Sequence, residues 1–245
     1  MTPKRPDPIA HLTGNLSKKP YPSGVSLPGQ GGKFDTCGGV QIWRGNTFVR
    51  HVTKGSDSFA ALVELQEAVK RSEFARFYTF LPAPSFHMTV FQGYSPRSDI
   101  GKTLPADLAS NLGADCASTD ISKRVAGLSL PHARARPSGL FCLHSVTMEG
   151  ASPEDERALR QARQRLRDAT GLNPPDFDSY VFHITMAYLT QWLSPTTAAE
   201  VVAFSAELGQ AFCATNPDIA LDPCAFCTFE SMHHFEPLLV LPWDS

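Results

Sequence analysis

The stretch Ser85–Gly93, "SFHMTVFQG", places one histidine and one threonine two residues apart inside an apolar run. Side chains alternate along a β-strand, so His87 and Thr89 share one face and the intervening apolar residues share the other. A strand with one apolar face and two polar groups on the opposite face is suited to line a site while remaining anchored in a core.

The stretch Val181–Leu189, "VFHITMAYL", repeats this arrangement with His183 and Thr185. Each of the two stretches follows a predicted strand and a predicted helix. The sequence therefore predicts a diverged internal duplication, with repeats over about 45–95 and 139–190 and a helical connector over 105–130.

Hydrophobic periodicity and capping signals set the other predicted elements. Ser152 followed by Pro153 predicts a helix start, Gly171 predicts its end, and Ser194 predicts the start of a third long helix. We expect an α+β, bilobal, pseudo-twofold fold in which two mostly antiparallel sheets flank a central cleft and helices lie outside. The predicted strands are 46–52, 86–93, 139–150, 180–189, 218–230 and 236–243, and the predicted helices are 56–74, 104–112, 118–128, 152–171 and 194–212.

The N-terminal residues 1–36 are rich in Pro, Gly, Lys and Ser, which predicts an extended, poorly packed arm. Tyr21 and Phe34 are candidate anchors of this arm to the body. The remaining residues 37–245 are predicted to form one bilobal domain, and the Gly and Pro content leaves open whether the arm covers the cleft.

Composition narrows the function classes. The chain of 245 residues has 42% hydrophobic and 19% charged residues and a formal net charge of −2. This balance is typical of a globular protein, and it provides no basic field for long nucleic acid. Because no apolar run reaches about 18 residues and no secretory leader is apparent, we expect a cytoplasmic protein without membrane association. We also expect reduced cysteines and a monomer.

Two facing His-Thr pairs point to a definite chemistry. Two imidazoles across a cleft are able to act as general base and general acid, because an unperturbed histidine titrates near pH 6.5. A threonine hydroxyl beside each histidine is able to donate to a phosphate oxygen. Such strands on either side of one phosphorus would support in-line displacement without a metal or other cofactor.

The motifs "FHMTV" and "FHITM" resemble the paired His-x-Thr motifs of the two-histidine (2H) phosphoesterase superfamily, which includes cyclic phosphodiesterases and LigT-like RNA 2′-5′ ligases. The flanking segments "YPSG", "KFD", "GNTFVRH" and "LPAPSFHMTVFQG" more narrowly resemble the branch named domain of unknown function 1868. The resemblance implies that His87, Thr89, His183 and Thr185 are catalytic.

The predicted function is a phosphoesterase that hydrolyses a cyclic phosphodiester, such as a nucleoside 2′,3′-cyclic phosphate or an RNA end. Either histidine would serve as base and the other as acid. Two alternatives use the same cleft: 2′-5′ RNA ligase-like activity, and a non-catalytic module that binds nucleotides or RNA ends.

Several further residues are candidates for the site. Phe91, Tyr94 and Tyr188 lie beside the motifs and are candidates to stack on a base. His51, within a second His-x-Thr match, and His144, placed in the equivalent strand of the second repeat, are candidates either to line the cleft or to pack structurally.

Two other patterns favour structural roles. Cys224 and Cys227 with His233 and His234 form a lone Cys-x-x-Cys-plus-histidine pattern, which favours buried thiols over zinc because no second ligand pair follows. No metal site is predicted. The Arg-rich helix 152–171 has an apolar face that places most of its arginines in solvent, so a solvated face is favoured over an RNA-binding stripe.

Overall fold

A computed structural model provides the structure, and it describes residues 3–96, 103–108 and 114–244. The helices are α1 (Pro8–Leu12), α2 (Asp57–Arg71), α3 (Ala114–Arg124), α4 (Pro153–Thr170) and α5 (Pro195–Thr215). The strands are β1 (Val25–Ser26), β2 (Phe34–Asp35), β3 (Gly45–His51), β4 (Tyr78–Phe80), β5 (His87–Gln92), β6 (Ala135–Phe141), β7 (Ser145–Gly150), β8 (His183–Thr185), β9 (Ala187–Leu189), β10 (Ala225–Ser231) and β11 (His234–Val240).

Seven of these strands form one antiparallel sheet in the order β11-β10-β3-β5-β8-β7-β6. Its two halves join through a single residue pair, Met88 with Ile184, between β5 and β8. The predicted α+β class with antiparallel sheets is confirmed, and the two predicted sheets are the two halves of this one. Two-stranded sheets β4-β9 and β1-β2 complete the strands described.

Strand register gives the two motif histidines equivalent positions. His51 on β3 pairs with His87 on β5, and Thr147 on β7 pairs with His183 on β8. Each member of the second pair lies 96 residues after its counterpart in the first. Both histidines therefore occupy the same position relative to a neighbouring antiparallel strand.

Capping residues start the long helices where the sequence predicts. The hydroxyls of Ser56, Ser152 and Ser194 accept hydrogen bonds from the first turns of α2, α4 and α5. Gly171 ends α4 in the left-handed conformation, with φ 73°. In the connector, α3 confirms part of the predicted helix over 118–128. The helix predicted over 104–112 lies partly outside the described residues, and its described part is a short 3₁₀ turn over Ala106–Leu108.

The single strand predicted over 139–150 is wrong, because it contains a hairpin turn. Phe141 pairs with Ser145, and Cys142 and Leu143 between them have φ of 51° and 61°. Two successive residues in the left-handed region reverse the chain tightly. His144 consequently lies in the turn between β6 and β7, and not within a strand.

The predicted strand over 180–189 is also divided. β8 pairs with β5 and β7, whereas β9 pairs with β4. Met186 lies between them, and its backbone N–H donates to the carbonyl of His144 at 2.8 Å. This bond continues the β7–β8 register by one residue into the hairpin turn, and beyond it the chain pairs with β4 as β9.

The arm over 1–36 is more closely packed than predicted. It contains α1, β1 and β2, and the side chains of Leu12 and Phe34 are fully buried. The prediction for Phe34 as an anchor is confirmed, whereas the prediction of a poorly packed arm is wrong because apolar residues fix it to the body.

Helices cover the sheet face that carries Met88 and Ile184. α4 packs on β5 and β7, α3 packs on β3, and α5 packs on β6. Phe48 and Phe91 lie in the apolar cluster under α3 and α4. The opposite face is left for the polar residues of the His-x-Thr strands. In the described part of the chain, every helix is too short or too polar to cross a bilayer.

Gly209 allows α5 to approach β6 closely, and its replacement provides a test of this packing. A Cβ at position 209 would lie 2.6 Å from the backbone nitrogen of Leu140. Gly→Ala inside a helix normally stabilises by about 1 kcal/mol, but Gly209→Ala is expected to destabilise by about 1–3 kcal/mol through overpacking. Chemical denaturation measures the change.

The matched control is Ala206→Gly at an exposed position of the same helix, which is expected to cost about 1 kcal/mol through helix propensity alone. A Gly209→Ala protein more stable than the natural protein would show that this packing does not constrain α5.

Candidate active site

The junction between the half-sheets brings the two motifs together. Met88 pairs with Ile184 in antiparallel register, and both side chains are fully buried. Extending that register by one residue in each direction places each motif histidine opposite the other motif's threonine, on the face away from the core. The four side chains on that face are His87, Thr89, His183 and Thr185.

Both catalytic candidates hold their imidazole rings in the same way. His87 Nδ1 lies 2.8 Å from the carbonyl oxygen of Ser85, and His183 Nδ1 lies 2.8 Å from that of Val181. A carbonyl oxygen only accepts, so Nδ1 carries the proton in each neutral ring. Nε2 of each ring is then left with its lone pair, as a general base requires.

The surroundings of both rings disfavour a positive charge. Burial lowers the pKa of His87 most, the hydrogen bond to Ser85 opposes the shift, and His51, His183 and Lys33 add to it, so that the pKa lies at about 3. Burial lowers the pKa of His183 to about 4, and the Arg5 charge acts in the same direction. Both rings are neutral at pH 7 in the free protein, and a bound anion would raise both pKa values.

The two His-Thr pairs line one cavity of about 540 Å³, here called the His-Thr cleft. This volume lies in the range of small-molecule sites. Walls come from both half-sheets and from the arm, which contributes Ser23, Gly24 and Lys33. The aromatic residues of the wall are Trp43, Tyr94, Tyr180, Tyr188, Phe229 and Phe235.

Tyr180 is a site residue that sequence reasoning missed. Its ring lies 5.8 Å from the ring of His183, and its hydroxyl shares a hydrogen bond with the side chain of Thr89. Burial raises the pKa of Tyr180 to about 12, so its hydroxyl stays protonated and is able to donate. The position of Tyr180 three residues before His183 is the only feature of the sequence that points to a place in the site.

Arg163 lies directly beneath this tyrosine, which corrects the prediction of a solvated arginine face on α4. The side chain is 1% exposed, and its guanidinium carbon lies 4.1 Å from the centroid of the Tyr180 ring. Nη1 donates to the carbonyl of Val90 at 2.6 Å, and Nη2 donates to that of Phe177 at 3.3 Å. Arg163 therefore ties α4 to β5 and fixes Tyr180 from below.

Two cations from the arm were also missed as site residues. Lys33 Nζ donates to the Tyr188 hydroxyl at 3.2 Å and lies in the cleft wall. Arg5 donates to the hydroxyls of Ser145, at 3.1 Å, and Thr147, at 3.3 Å. The "KFD" motif contained a signal for Lys33, whereas Arg5 lies in a segment with no recognisable pattern.

Phe91 does not line the cleft, because a β-bulge reverses its orientation. Phe48 pairs with Phe91 and Val49 pairs with Thr89, so Val90 is an extra residue on β5. The insertion shifts the alternation by one. Phe91 is fully buried under the helices, and Gln92 lines the cleft in its place.

The other four candidates from the sequence fall into two groups. Tyr94 and Tyr188 line the cleft. His51 lies outside its lining and contacts the back of the His87 ring, with ring centroids 6.2 Å apart. His144 lines a neighbouring cavity together with His183, and its Nε2 lies 3.3 Å from Nε2 of His11.

The cysteine pattern lies apart from the cleft. Cys224 and Cys227 are buried, and burial raises the pKa of each thiol to about 12. His234 instead pairs with Glu236 at 2.8 Å. Within residues 3–96, 103–108 and 114–244, no group of three or more His, Cys, Asp and Glu side chains is arranged to hold a metal ion.

Comparison with known proteins agrees with the motifs. Residues 33–136 match the family model described as "2H-phosphodiest: Domain of unknown function (DUF1868)". The predicted resemblance to the two-histidine phosphoesterases and to this branch is confirmed, and the match supports a phosphoesterase-type function in general. The matched region contains His87 and Thr89, whereas His183 and Thr185 lie beyond it.

One solved structure extends the likeness to the whole fold. The crystal structure of the conserved protein of unknown function ATU0111 from Agrobacterium tumefaciens strain C58 has 28% identity and a TM-score of 0.86. It covers 96% of this chain, and the match spans 99% of that one. The protein TT0787 of Thermus thermophilus has 20% identity and a TM-score of 0.34, over 62% of this chain and 76% of its own. No curated protein matches significantly.

The lowered pKa values make stability depend on pH. The folded pKa of His183, about 4, lies below the unfolded value, about 6.5, so the unfolded chain binds more protons between these limits. The free energy of unfolding is therefore expected to fall as pH decreases from 6.5 to 4. His183→Gln removes one such group and should reduce this slope by up to about 1.4 kcal/mol per pH unit.

Urea denaturation at several pH values, each protein compared with itself at pH 7.5, measures the two slopes. Equal slopes for the natural protein and His183→Gln would show that His183 is freely protonated in the folded state.

Proposed function

We propose that the protein is a metal-independent phosphoesterase that hydrolyses a cyclic phosphodiester, such as a nucleoside 2′,3′-cyclic phosphate or an RNA end that bears one. The observation that carries this proposal is the matched setting of the two imidazoles. Each has Nδ1 fixed by the carbonyl two residues earlier, a threonine from the facing strand beside it, and a place in the wall of one cleft.

Those groups supply what the reaction needs. One histidine takes a proton from water as the water oxygen attacks phosphorus. The other histidine, protonated, donates to the 2′ or 3′ ribose oxygen as the P–O bond to that oxygen breaks. The products are a phosphomonoester and a free ribose hydroxyl, and one proton passes between the histidines and solvent in each cycle.

The threonines are proposed to stabilise the charge that develops on phosphorus. Thr89 and Thr185 would donate to the non-bridging oxygens, which carry most negative charge in the transition state. Tyr180 supports this role at Thr89, because its hydroxyl shares a hydrogen bond with the threonine side chain and so holds that side chain in the cleft wall. Lys33 adds a positive charge that acts on both histidines.

An anionic substrate would also favour the protonated histidine that the mechanism requires. Both rings are neutral when the cleft is empty, yet the mechanism requires one protonated imidazole. The phosphodiester anion between the rings raises both pKa values. Substrate binding and protonation of the acid are thus coupled.

Removal of either histidine should abolish most turnover. In the presence of a chelator, purified protein is expected to hydrolyse nucleoside 2′,3′-cyclic phosphates, and His87→Ala and His183→Ala are expected to lower kcat by about 10²- to 10⁴-fold. Thr89→Val and Thr185→Val remove one donor each and should lower kcat by about 10²-fold. Product formation followed by chromatography provides the measurement.

His234→Ala is the matched control, because His234 is exposed, pairs with Glu236 and lies outside the cleft. Full activity in either cleft-histidine variant, or activity abolished by the chelator alone, would contradict the mechanism. Calorimetric binding of the cyclic phosphates without turnover would instead favour the non-catalytic module.

The pH dependence follows from the same pKa values. kcat/KM reports the free protein, in which one histidine must be protonated and the other neutral. With pKa values of about 3 and about 4, that state becomes rarer as pH rises above 4. kcat/KM is therefore expected to fall by up to about tenfold per unit of pH above this range, with its maximum on the acid side of pH 6.5.

Initial rates between pH 4 and pH 9 at constant ionic strength measure this profile. A maximum above pH 7 would show that the histidines of the free protein are not held neutral as their surroundings indicate.

A further inference from the structure

A second cavity of about 440 Å³ adjoins the His-Thr cleft. It is here called the arm cavity, because residues 5–23 of the N-terminal arm form much of its wall. The two cavities share His183 and Thr185 together with Lys33 and Tyr188. A ligand that contacts His183 from the cleft is therefore in direct reach of the arm cavity.

The arm cavity is lined by cations and by no acidic residue. Arg5, Lys19 and Lys33 contribute to its wall, with the His11–His144 pair beside them, and none of its described lining residues is Asp or Glu. The His-Thr cleft, in contrast, has Asp176 in its wall. The region beyond His183 is therefore suited to a negatively charged group.

Arg5 is held in place without a counter-ion. Its two donated hydrogen bonds go to the neutral hydroxyls of Ser145 and Thr147, and its guanidinium carbon lies 4.9 Å from the centroid of the Phe141 ring. None of the ion pairs formed by the described residues includes Arg5. A partly buried cation without an anion is costly, and an anionic ligand would offset that cost.

The duplication makes this arrangement one-sided. Ser145 and Thr147, which bind Arg5 of the arm, correspond in register to Val49 and His51 of the first repeat. There, the ring of Phe235 lies 4.2 Å from the ring of His87. Phe235 thus lies beside His87, whereas the equivalent flank of His183 carries the cation Arg5.

We propose that the arm cavity binds a second phosphate group of the substrate. The inference rests on the proposed function: the cyclic phosphodiester lies between His87 and His183, and a further phosphate of the same molecule lies beside Arg5 and Lys33. The base or other apolar part occupies the side of the cleft beside Phe235. The second phosphate is either a terminal phosphomonoester or the internal phosphodiester of an oligonucleotide.

Three substrates with the same reacting group test this proposal. They are adenosine 2′,3′-cyclic phosphate, the same nucleotide with a 5′-phosphate, and an adenosine dinucleotide that ends in the cyclic phosphate and has a free 5′-hydroxyl. We expect kcat/KM for at least one substrate with a second phosphate to exceed that for the first by about tenfold or more, the worth of one charge-assisted hydrogen bond. Preference between the last two identifies the kind of phosphate.

Arg5→Gln is expected to bring this ratio close to one, whereas Arg5→Lys retains the charge and should keep part of the preference. The ratio of kcat/KM values is the readout because the charge of Arg5 also acts on His183. That effect would change kcat/KM by the same factor for all three substrates. Arg157→Gln is the matched control, because Arg157 is an exposed arginine paired with Glu154 on α4. It should leave the ratio unchanged.

Two failures are distinguishable. Turnover of all three substrates at equal kcat/KM, or a preference that survives Arg5→Gln, would overturn the second-phosphate site and leave the proposed function standing. Turnover of none would overturn the proposed function and this inference with it.

Discussion

The backbone pairing of Met88 with Ile184 is the contact on which the site depends. It joins a four-stranded half-sheet to a three-stranded one, and it is the single residue pair between β5 and β8. Both side chains enter the core, so the residues on either side of each must face the other way. Packing energy of two apolar residues therefore fixes the relative position of four polar ones. A slip of one residue would bury the histidines and expose the core.

The candidate site is nearly symmetric at its two histidines and asymmetric around them. Equivalent carbonyls orient both imidazoles, and equivalent strands flank both histidines. Around this symmetric centre, Phe235 covers the first histidine and the arm surrounds the second with Arg5 and Lys33. Two equivalent strands supply the paired His-Thr groups, and segments outside the two repeats supply the difference between the two ends.

Much of the framework could be predicted because it rests on local rules. Ser56, Ser152, Ser194 and Gly171 mark helix ends through backbone hydrogen bonding within a few residues of each position. The alternation of side chains along a β-strand predicted that, in each motif, the histidine and the threonine share the face opposite the apolar residues. Prediction failed where alternation was broken, at the Val90 bulge that buries Phe91 and at the turn that takes His144 out of its strand. Pairing with a neighbouring strand decides both features. The register with β3 leaves Val90 as the inserted residue of the bulge, and the register of β6 with β7 sets where the chain reverses.

The sequence by itself determined the identity and spacing of the two His-Thr motifs and the chemistry those residue types support, and it predicted an internal duplication. These features depend on residue identity and short-range spacing. Tertiary structure alone decided that Arg163 is buried beneath Tyr180, that Tyr180 bonds Thr89, and that Arg5 reaches the second histidine. Contacts between residues far apart in the chain depend on how helices and the arm pack on the sheet. That packing is set by the summed burial of many apolar side chains, which no short pattern records.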